Sequence, residues 1–370
     1  MKIKKDFEGI LFAPREDEIG VPTGCMYPRV IELKHSKGEL LATFENYSKE
    51  EPPFAPIYKS TDGGKTWQLF SKIEDTVNGF GMRFQPALYE LDEDCGDLKK
   101  GALLYAGNSI PEDMTSTEIL FFVSTDHGKT WKARSSVAKG GAPVEQNFEK
   151  LGPIWEPHIF VNKKGEITIM FSDERLHGTG EKDYNQVLVA VTSSNGGKTW
   201  SKEKLVVALK DRSLRPGMPV VCKTKKGFFL CYEIVGTPCN DIYYKTSTDG
   251  IDFGDPNDRG TRAETADGYH LGSMPFCVYS EKYDAIILNA KRDNEEITLN
   301  TISFLVNYNN GEGKWEKQRQ LVEYDNRILQ TGWSKGMAVI ENGTKLIELA
   351  PIQSTPTLMH ISYAIANLQE

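Results

Sequence analysis

A motif of eight residues recurs along the chain and constrains the fold more than any other feature. Three full copies read STDGGKTW at 60–67, STDHGKTW at 124–131 and SSNGGKTW at 193–200. Two weaker copies follow, STDGIDF at 247–253 and a segment at 307–315 that keeps NYNNG and a closing tryptophan. Successive copies lie roughly 60 residues apart, and self-similarity at a nearly constant period indicates a repeat architecture.

Each part of the motif has a role in a β-hairpin. The side chain of Asp or Asn binds backbone N–H groups a few residues further on, and glycine supplies the positive φ that a tight turn requires. The Ser-Thr before the turn and the Thr-Trp after it suit strands, where the large Trp ring packs between neighbouring sheets. The motif therefore predicts a hairpin in every repeat.

A second repeat lies between the hairpins and marks the start of an apolar strand. Its six aligned positions, five of which precede a proline, are Tyr27, Gln85, Glu156, Met218, Met274 and Lys335. Proline is tolerated at the first residue of a strand because its missing N–H lies outside the ladder. Second apolar strands follow at 40–44, 102–105, 167–171, 228–232, 285–289 and 345–348.

Together the two repeats indicate four strands in each of six units. We expect an all-β fold, a six-bladed β-propeller that takes up residues 1–370 as a single domain. A strand near Ile10 should complete the last blade and so remove the exposed sheet edges that an open array would leave. The hairpin motif resembles the Asp box of sialidase-like propellers, which include enzymes and proteins without enzymatic activity.

The direction of the strands predicts which end of the propeller carries the site. If the innermost strand of each blade begins at the top, the hairpins lie at the bottom and the second strands end at the top. Glu156 starts an innermost strand in the third blade, and Glu233 ends a second strand in the fourth. Two carboxylates at the same end of neighbouring blades can act together, as an acid/base and a nucleophile. The alternative for each glutamate is that it accepts backbone hydrogen bonds or meets water.

Four short segments, in their order along the chain, resemble the exo-arabinanases of glycoside hydrolase family 93. They are Tyr-Pro-Arg at 27–29, Trp-Glu-Pro at 155–157, Arg-Pro-Gly-Met-Pro at 215–219 and Tyr-Glu at 232–233. The resemblance covers essentially the whole chain. It implies a retaining, exo-acting hydrolase that releases arabinobiose, or arabinose, from linear α-1,5-L-arabinan. It also implies that Glu156 and Glu233 are the catalytic pair, and it leaves open which of them is the nucleophile.

A neutral furanoside requires hydrogen-bond donors for its hydroxyls and aromatic faces for stacking. Candidate substrate-binding residues at the top of the blades are Tyr27, Arg29, Trp155, Asp173, Arg215 and Trp333. Core packing is the alternative for Trp155, whereas Trp333 lies among glycine and serine and is expected to be exposed. An exo-acting enzyme also needs a wall beyond the terminal sugars, which long loops at 74–84, 139–153 and 255–270 are expected to supply.

A sialidase is the closest alternative enzyme, and a non-catalytic glycan-binding propeller is an alternative of another class. A sialidase needs three arginines around the substrate carboxylate, and the arginines near the top are Arg29, Arg83, Arg175, Arg215 and Arg292. The order Tyr-Pro-Arg at 27–29, however, differs from the Arg-Ile-Pro that sialidases show near their start. Structural ion pairs are the alternative role for Arg29 and Arg215. The pair of Glu156 and Glu233 counts against a binding protein, which would not need it.

Composition narrows the remaining classes. The chain of 370 residues has a formal net charge of −8 and no long basic run, which argues against a nucleic-acid partner. No apolar run is long enough to cross a membrane and no leader-like segment follows Met1, so we expect a cytoplasmic protein, or a secreted one whose leader was removed. The six cysteines show no CxxC spacing, and His177 and His270 stand alone, so neither a metal nor a cofactor is expected. We expect a monomer.

Overall fold

The structure is a computed structural model in which all regular elements of the described residues are β-strands. It describes residues 1–15, 24–36, 38–47, 49, 52–143, 151–177, 184–293, 302–325, 328, 330–355 and 358–370. Across these ranges, no helix has the length and apolarity needed to span a membrane.

Six four-stranded antiparallel sheets form the blades, and three of them come from the first 207 residues. The chain starts with β1 (Lys2–Phe12). From the inside outwards, the first blade contains β2 (Cys25–Leu33), β3 (Glu39–Asn46), β4 (Ala55–Ser60) and β5 (Gln68–Ile73). The second contains β6 (Met82–Glu90), β7 (Leu103–Ser109), β8 (Thr117–Ser124) and β9 (Lys132–Gly140). The third contains β10 (Ile154–Val161), β11 (Ile167–Asp173), β12 (Val187–Ser193) and β13 (Lys204–Val207).

The other three blades have shorter outer strands. The fourth contains β14 (Arg215–Thr224), β15 (Gly227–Val235), β16 (Ile242–Ser247) and β17 (Thr261–Arg262). The fifth contains β19 (Phe276–Ser280), β20 (Ala285–Asn289), β22 (Ile302–Asn307) and β23 (Glu316–Arg319). A separate two-stranded sheet pairs β18 (Leu271–Gly272), which comes before β19 in the chain, with β21 (Arg292–Asp293), which comes between β20 and β22. The sixth contains β24 (Gly336–Ile340), β25 (Lys345–Thr355), β26 (Leu358–Gln369) and, outermost, β1.

The innermost strands form a closed ring, because β2, β6, β10, β14, β19 and β24 contact one another in that order and β24 contacts β2. β1 pairs with β26 along its whole length, from Lys2 opposite Gln369 to Phe12 opposite Ile361. The apolar core lies between the blades: a buried cluster that includes Leu41, Leu88 and Tyr105, for example, joins the first blade to the second. The predicted six-bladed β-propeller is confirmed.

The Asp-box hairpins connect the third and fourth strands of the blades and hold themselves together through local hydrogen bonds. In the first copy, Oδ1 of Asp62 accepts hydrogen bonds from the backbone N–H groups of Lys65 and Thr66, at 3.0 and 2.9 Å. Burial opposes ionisation, but these bonds and that from the Thr66 hydroxyl lower the pKa of Asp62 to about 2. In the second copy, Nε1 of Trp131 donates to Oγ of Ser71 in the preceding blade, at 3.2 Å. The hairpins therefore stabilise the turns and the contacts between blades.

Candidate active site

The innermost strands begin with an unusual backbone conformation. Their predicted start residues have positive φ in five blades: 55° at Tyr27, 56° at Gln85, 57° at Glu156, 56° at Met218 and 58° at Met274. In the first four of these blades, the ladder with the second strand shifts register at this point. The repeat seen in the sequence is thus a bulge at the top of the blades.

The strand starts converge around the axis of the ring. Tyr27, Met218 and Met274, from three different blades, pack in one buried apolar cluster, and the half-buried Trp333 packs against it. This contact places two of the predicted substrate-binding residues, Tyr27 and Trp333, at the same end of the ring.

Gly217, near the start of β14, lies between the two predicted catalytic glutamates. It is paired with Glu233 in the ladder of β14 and β15. A Cβ atom on Gly217 would lie 3.6 Å from Oε2 of Glu156 and 3.7 Å from Oε1 of Glu233. The sum of these distances is an upper limit for the separation of the two oxygens. The two carboxylates therefore face one small space.

Glu156 is held by donors on the next strand and the next blade. Its Oε2 accepts the hydroxyl hydrogen of Ser172 at 2.6 Å and the backbone N–H of Met218 at 2.7 Å. Burial of the carboxyl group raises the pKa of Glu156, and the charge of Arg215 together with these two hydrogen bonds opposes the rise. The half-buried Glu156 thus has several contacts that favour the ionised form of its carboxyl group.

Glu233 has fewer stabilising contacts. Its Oε2 accepts one hydrogen bond, from the backbone N–H of Met274 at 2.8 Å. Burial, followed by the negative charge of Glu156, raises the pKa of Glu233 to about 7. The ionised form of Glu156 is therefore stabilised by more contacts than the ionised form of Glu233. Such a difference between two neighbouring carboxyl groups allows one to act as an acid and the other as a nucleophile.

Arg215 and Trp155 share one partner, Glu174, which follows β11. Oε1 of Glu174 accepts a hydrogen bond from Nη2 of Arg215 at 2.7 Å and another from Nε1 of Trp155 at 2.9 Å. Arg215 and Trp155 are both half-buried. The structure thus brings both residues to the side of Glu156, where Glu174 fixes their orientation.

Arg29 is buried and joins the first blade to the sixth. Nη1 donates to the carbonyl oxygens of Pro28 and Ser334, at 2.7 and 3.0 Å, and Nη2 donates to Oγ of Ser334 at 2.9 Å. Its guanidinium lies over the ring of Tyr27, 4.0 Å from the centroid. The described contacts of Arg29 are therefore made within the protein, beneath Tyr27.

Asp173, another predicted substrate-binding residue, is not brought to the two glutamates by any described contact. Its buried carboxylate accepts hydrogen bonds from Nε and Nη2 of Arg175 at 2.9 and 2.7 Å, and from the backbone N–H of the same residue at 2.8 Å. The neighbouring Glu174 makes the contacts with Arg215 and Trp155 instead.

Several residues of the site were not selected from the sequence. Glu45 is buried at the end of β3, and burial raises its pKa to about 7. Gln186 is buried beside Gly217, where its Nε2 donates to the carbonyl oxygen of Pro216 at 2.7 Å. Glu45 follows the second strand expected at 40–44 as Glu233 follows the one at 228–232, so its position in the sequence was a usable signal. No sequence signal marked Gln186.

Aromatic rings form a row along the first three blades. The ring of Tyr47 lies 6.1 Å from that of Phe84, and the ring of Phe84 lies 6.4 Å from that of Trp155. All three side chains are half-buried.

Within the described ranges, no group of three or more His, Cys, Asp or Glu residues could hold a metal ion.

Comparison with known proteins identifies relatives that share this fold. The BNR/Asp-box repeat family matches residues 58–69 and 122–133. An α-L-arabinanase from Penicillium chrysogenum, solved in complex with arabinobiose, is 33% identical, with 99% of each chain covered and a TM-score of 0.81. An α-L-arabinofuranosidase from Fusarium graminearum, solved with an iminosugar inhibitor, is 29% identical, with 99% of each chain covered and a TM-score of 0.82. No curated protein sequence matches the chain.

The family 93 α-L-arabinofuranosidase of Fusarium graminearum, solved with arabinobiose, is 29% identical, with 98% of each chain covered and a TM-score of 0.81. These similarities extend over essentially the whole chain, including the strands that carry Glu156 and Glu233. The resemblance inferred from the short segments is confirmed. The chain belongs to glycoside hydrolase family 93 and is a glycoside hydrolase.

Proposed function

We propose that this enzyme is a retaining, exo-acting arabinanase that releases arabinobiose from the end of linear α-1,5-L-arabinan. Its relatives of known structure are named as an arabinanase and an arabinofuranosidase, and both have been solved with arabinobiose. The site supports the proposal because a glycosidase needs two carboxyl groups on opposite sides of one glycosidic bond.

The position of Gly217 is the observation that carries the proposed mechanism. The Cβ distances of 3.6 and 3.7 Å set an upper limit for the separation of Oε2 of Glu156 and Oε1 of Glu233, and this limit admits the spacing of retaining enzymes. That spacing is about 5–5.5 Å, whereas inverting enzymes need about 6.5–9.5 Å to hold a water molecule. The limit admits the whole retaining range and only the lower end of the inverting range, which supports retention.

We assign Glu156 as the nucleophile and Glu233 as the acid/base. Glu156 receives two hydrogen bonds on Oε2 and lies near the positive charge of Arg215, so its ionised form is the better supported. Glu233 has a pKa of about 7 and carries a proton in weakly acidic solution, with Oε1 directed towards the shared space.

The reaction then proceeds in two displacements. A Glu156 oxygen attacks the anomeric carbon while Glu233 transfers its proton to the departing glycosidic oxygen, which gives a covalent glycosyl ester and a shortened arabinan. Glu233, now ionised, takes a proton from a water molecule, and the water oxygen displaces Glu156 from the anomeric carbon. Two inversions at one carbon give net retention, and both glutamates return to their starting protonation states.

The surroundings of the site suit a neutral sugar better than a sialic acid. A sialidase needs arginines with free donors around the substrate carboxylate. Here Arg29 binds Pro28 and Ser334, and Arg215 binds Glu174. Trp155 and the row of rings beside it offer apolar faces against which a furanose can stack.

Exo action requires a wall at one end of the site. The loop at 74–84 is a candidate, because Oδ1 of Asp75 accepts the N–H groups of Val77 and Asn78, and Oδ2 accepts that of Phe80 and the hydroxyl of Ser109. These bonds fix the loop, and Val77 and Phe80 remain exposed at its surface. Residues 144–150 of the second candidate loop, at 139–153, lie outside the described residues.

Product analysis tests the proposal. The protein is incubated with debranched arabinan, with a chromogenic arabinobioside and with sialyl-lactose, and the products are separated. Arabinobiose as the only early product from arabinan supports the proposal, and a ladder of longer oligomers would show endo action. Release of sialic acid would establish the alternative enzyme, and binding of arabinan without turnover would establish a glycan-binding protein.

A further inference from the structure

Four of the five residues with positive φ at the strand starts are held by side chains from the preceding blade. The backbone N–H of Gln85 donates to Oε1 of Glu45 at 2.8 Å, and that of Glu156 donates to Oε1 of Gln85 at 2.9 Å. In the same way, the backbone N–H of Met218 donates to Oε2 of Glu156, and that of Met274 donates to Oε2 of Glu233. Five successive blades are thus linked by four bonds of one kind at the top of the ring.

Gln85 differs from the other members of this series because its side-chain oxygen accepts the hydrogen bond from the backbone N–H of a proposed catalytic residue, Glu156. Its Oε1 also accepts a hydrogen bond from Nδ2 of Asn108 at 2.8 Å, and Asn108 is fully buried. Two donors therefore converge on the side-chain oxygen of Gln85, which fixes the orientation of the amide. Glu45 in turn holds the backbone of Gln85.

The backbone conformation at Glu156 determines where its carboxylate lies. A φ of 57° is unfavourable for a residue with a side chain, and the conformation persists only when the surroundings support it. The hydrogen bond from the Glu156 N–H to Gln85 is such a support. Without it, a partly buried donor loses its partner, and the backbone can relax to a conformation that directs the carboxylate elsewhere.

We propose that Gln85 is a positioning residue for the nucleophile: its side-chain oxygen holds the backbone N–H of Glu156 and thereby fixes the carboxylate in the attacking position. Glu45, in the first blade, supports Gln85 in the same way, by accepting the hydrogen bond from the Gln85 backbone N–H. This inference rests on the proposed role of Glu156. Gln85 acts through Glu156 and need not touch the sugar.

Three substitutions of Gln85 test the proposal on the chromogenic arabinobioside. Gln85→Leu keeps the approximate size of the side chain and removes the acceptor, and Gln85→Asn keeps the amide but shortens its reach. Both should lower kcat by about 10- to 100-fold with a much smaller change in KM, since the loss concerns the attacking group. Gln85→Glu keeps an acceptor at the same reach and should recover most of the lost kcat.

The controls separate positioning from general damage. Gln318, half-buried in the outer strand β23, provides a matched Gln318→Leu variant that should keep the wild-type kcat. If Gln85→Leu does not fold, Gln85→Asn still decides the question. Full kcat in Gln85→Asn, or a loss in Gln85→Glu as large as in Gln85→Asn, would overturn the inference. Glu156→Gln is measured in parallel: if it stays active, the proposed function fails, whereas an inactive Glu156→Gln beside a fully active Gln85→Asn refutes only the positioning role.

Discussion

Substitution of Gly217 by alanine should block catalysis in a protein that still folds. The added Cβ would lie 3.6 Å from Oε2 of Glu156 and 3.7 Å from Oε1 of Glu233, within the space that the carboxylates share. A reacting carbon must come within about 3–3.5 Å of the attacking oxygen. Because carbon atoms in contact stay about 3.5–4.0 Å apart, the methyl group displaces the sugar from that position.

The magnitude follows from these distances. A displacement of about 1 Å can cost a factor of about 100 in rate, so we expect kcat/KM of Gly217→Ala to fall at least about 100-fold. The Cβ would also lie 2.8 Å from Nε2 of Gln186, which must shift. Overpacking of this kind costs about 1–3 kcal/mol. The backbone of Gly217 has no positive φ, so no further strain is expected.

Gly9→Ala is a matched control in the outermost strand of the sixth blade. Its Cβ would lie 2.7 Å from Oη of Tyr363, a group that, like Nε2 of Gln186, donates one hydrogen bond to a backbone carbonyl. The Cβ at Gly9 would also lie 2.8 and 3.0 Å from two ring carbons of Tyr363, so Gly9→Ala should lose at least as much stability in a thermal melt as Gly217→Ala. Only Gly217→Ala should lose activity on the chromogenic arabinobioside. Wild-type kcat/KM in Gly217→Ala, or an equal loss in Gly9→Ala, would refute this account of the site.

Three further predictions concern pH and cooperativity. Glu45 and Glu233 have folded-state pKa values of about 7 against ordinary values of 4.5, so each contributes stability that is full below about 4.5 and is lost as the pH rises through 7. The thermal midpoint should fall between pH 5 and pH 8, and Glu45→Gln should reduce this fall; an unchanged slope would contradict the raised pKa. Arg215→Met removes the cation that opposes the rise in the pKa of Glu156, so the acidic limb of the kcat/KM profile should move to higher pH, and an unmoved limb would count against Glu156 as the ionised group. If residues 1–370 form one domain, calorimetry should show a single cooperative transition, whereas two separate transitions would contradict it.

Much of the fold could be predicted because the signals are local and repeated. The turn in each Asp box depends on a side chain and on backbone groups only a few residues away, as with Asp62 and Thr66. Because the motif recurs at a nearly constant period, the local turn also predicts a repeat architecture. The small pair of β18 and β21 was not predicted, because strands of two residues carry no periodic pattern.

The candidate site could be predicted only in part. Aligned strand starts and ends selected Glu156 and Glu233, which the structure brings to either side of Gly217. The same alignment selected Asp173, whereas the contacts with Arg215 and Trp155 are made by Glu174. Successive side chains of a strand point to opposite sides, so an error of one residue at a strand end exchanges the two environments.

The backbone conformation at the strand starts could not be predicted from the sequence. Each of these residues precedes a proline, which favours extended conformations at that position. The positive φ at Glu156 is supported by Gln85, an acceptor 71 residues earlier in the chain. This hydrogen bond joins two neighbouring blades, so it forms only when the blades pack together, and it leaves no pattern in the sequence around Glu156.

Azide rescue of Glu233→Ala tests the central claim, the assignment of the two glutamates, most directly. With a nitrophenyl arabinobioside the leaving group needs no acid, so the variant should form the glycosyl ester on Glu156 and then stall. Azide, which needs no general base, should attack this ester. The account predicts the α-arabinobiosyl azide, with retained configuration, identified by its NMR spectrum. The β-azide from the same variant would contradict it, because a single inversion would identify Glu233 as the nucleophile.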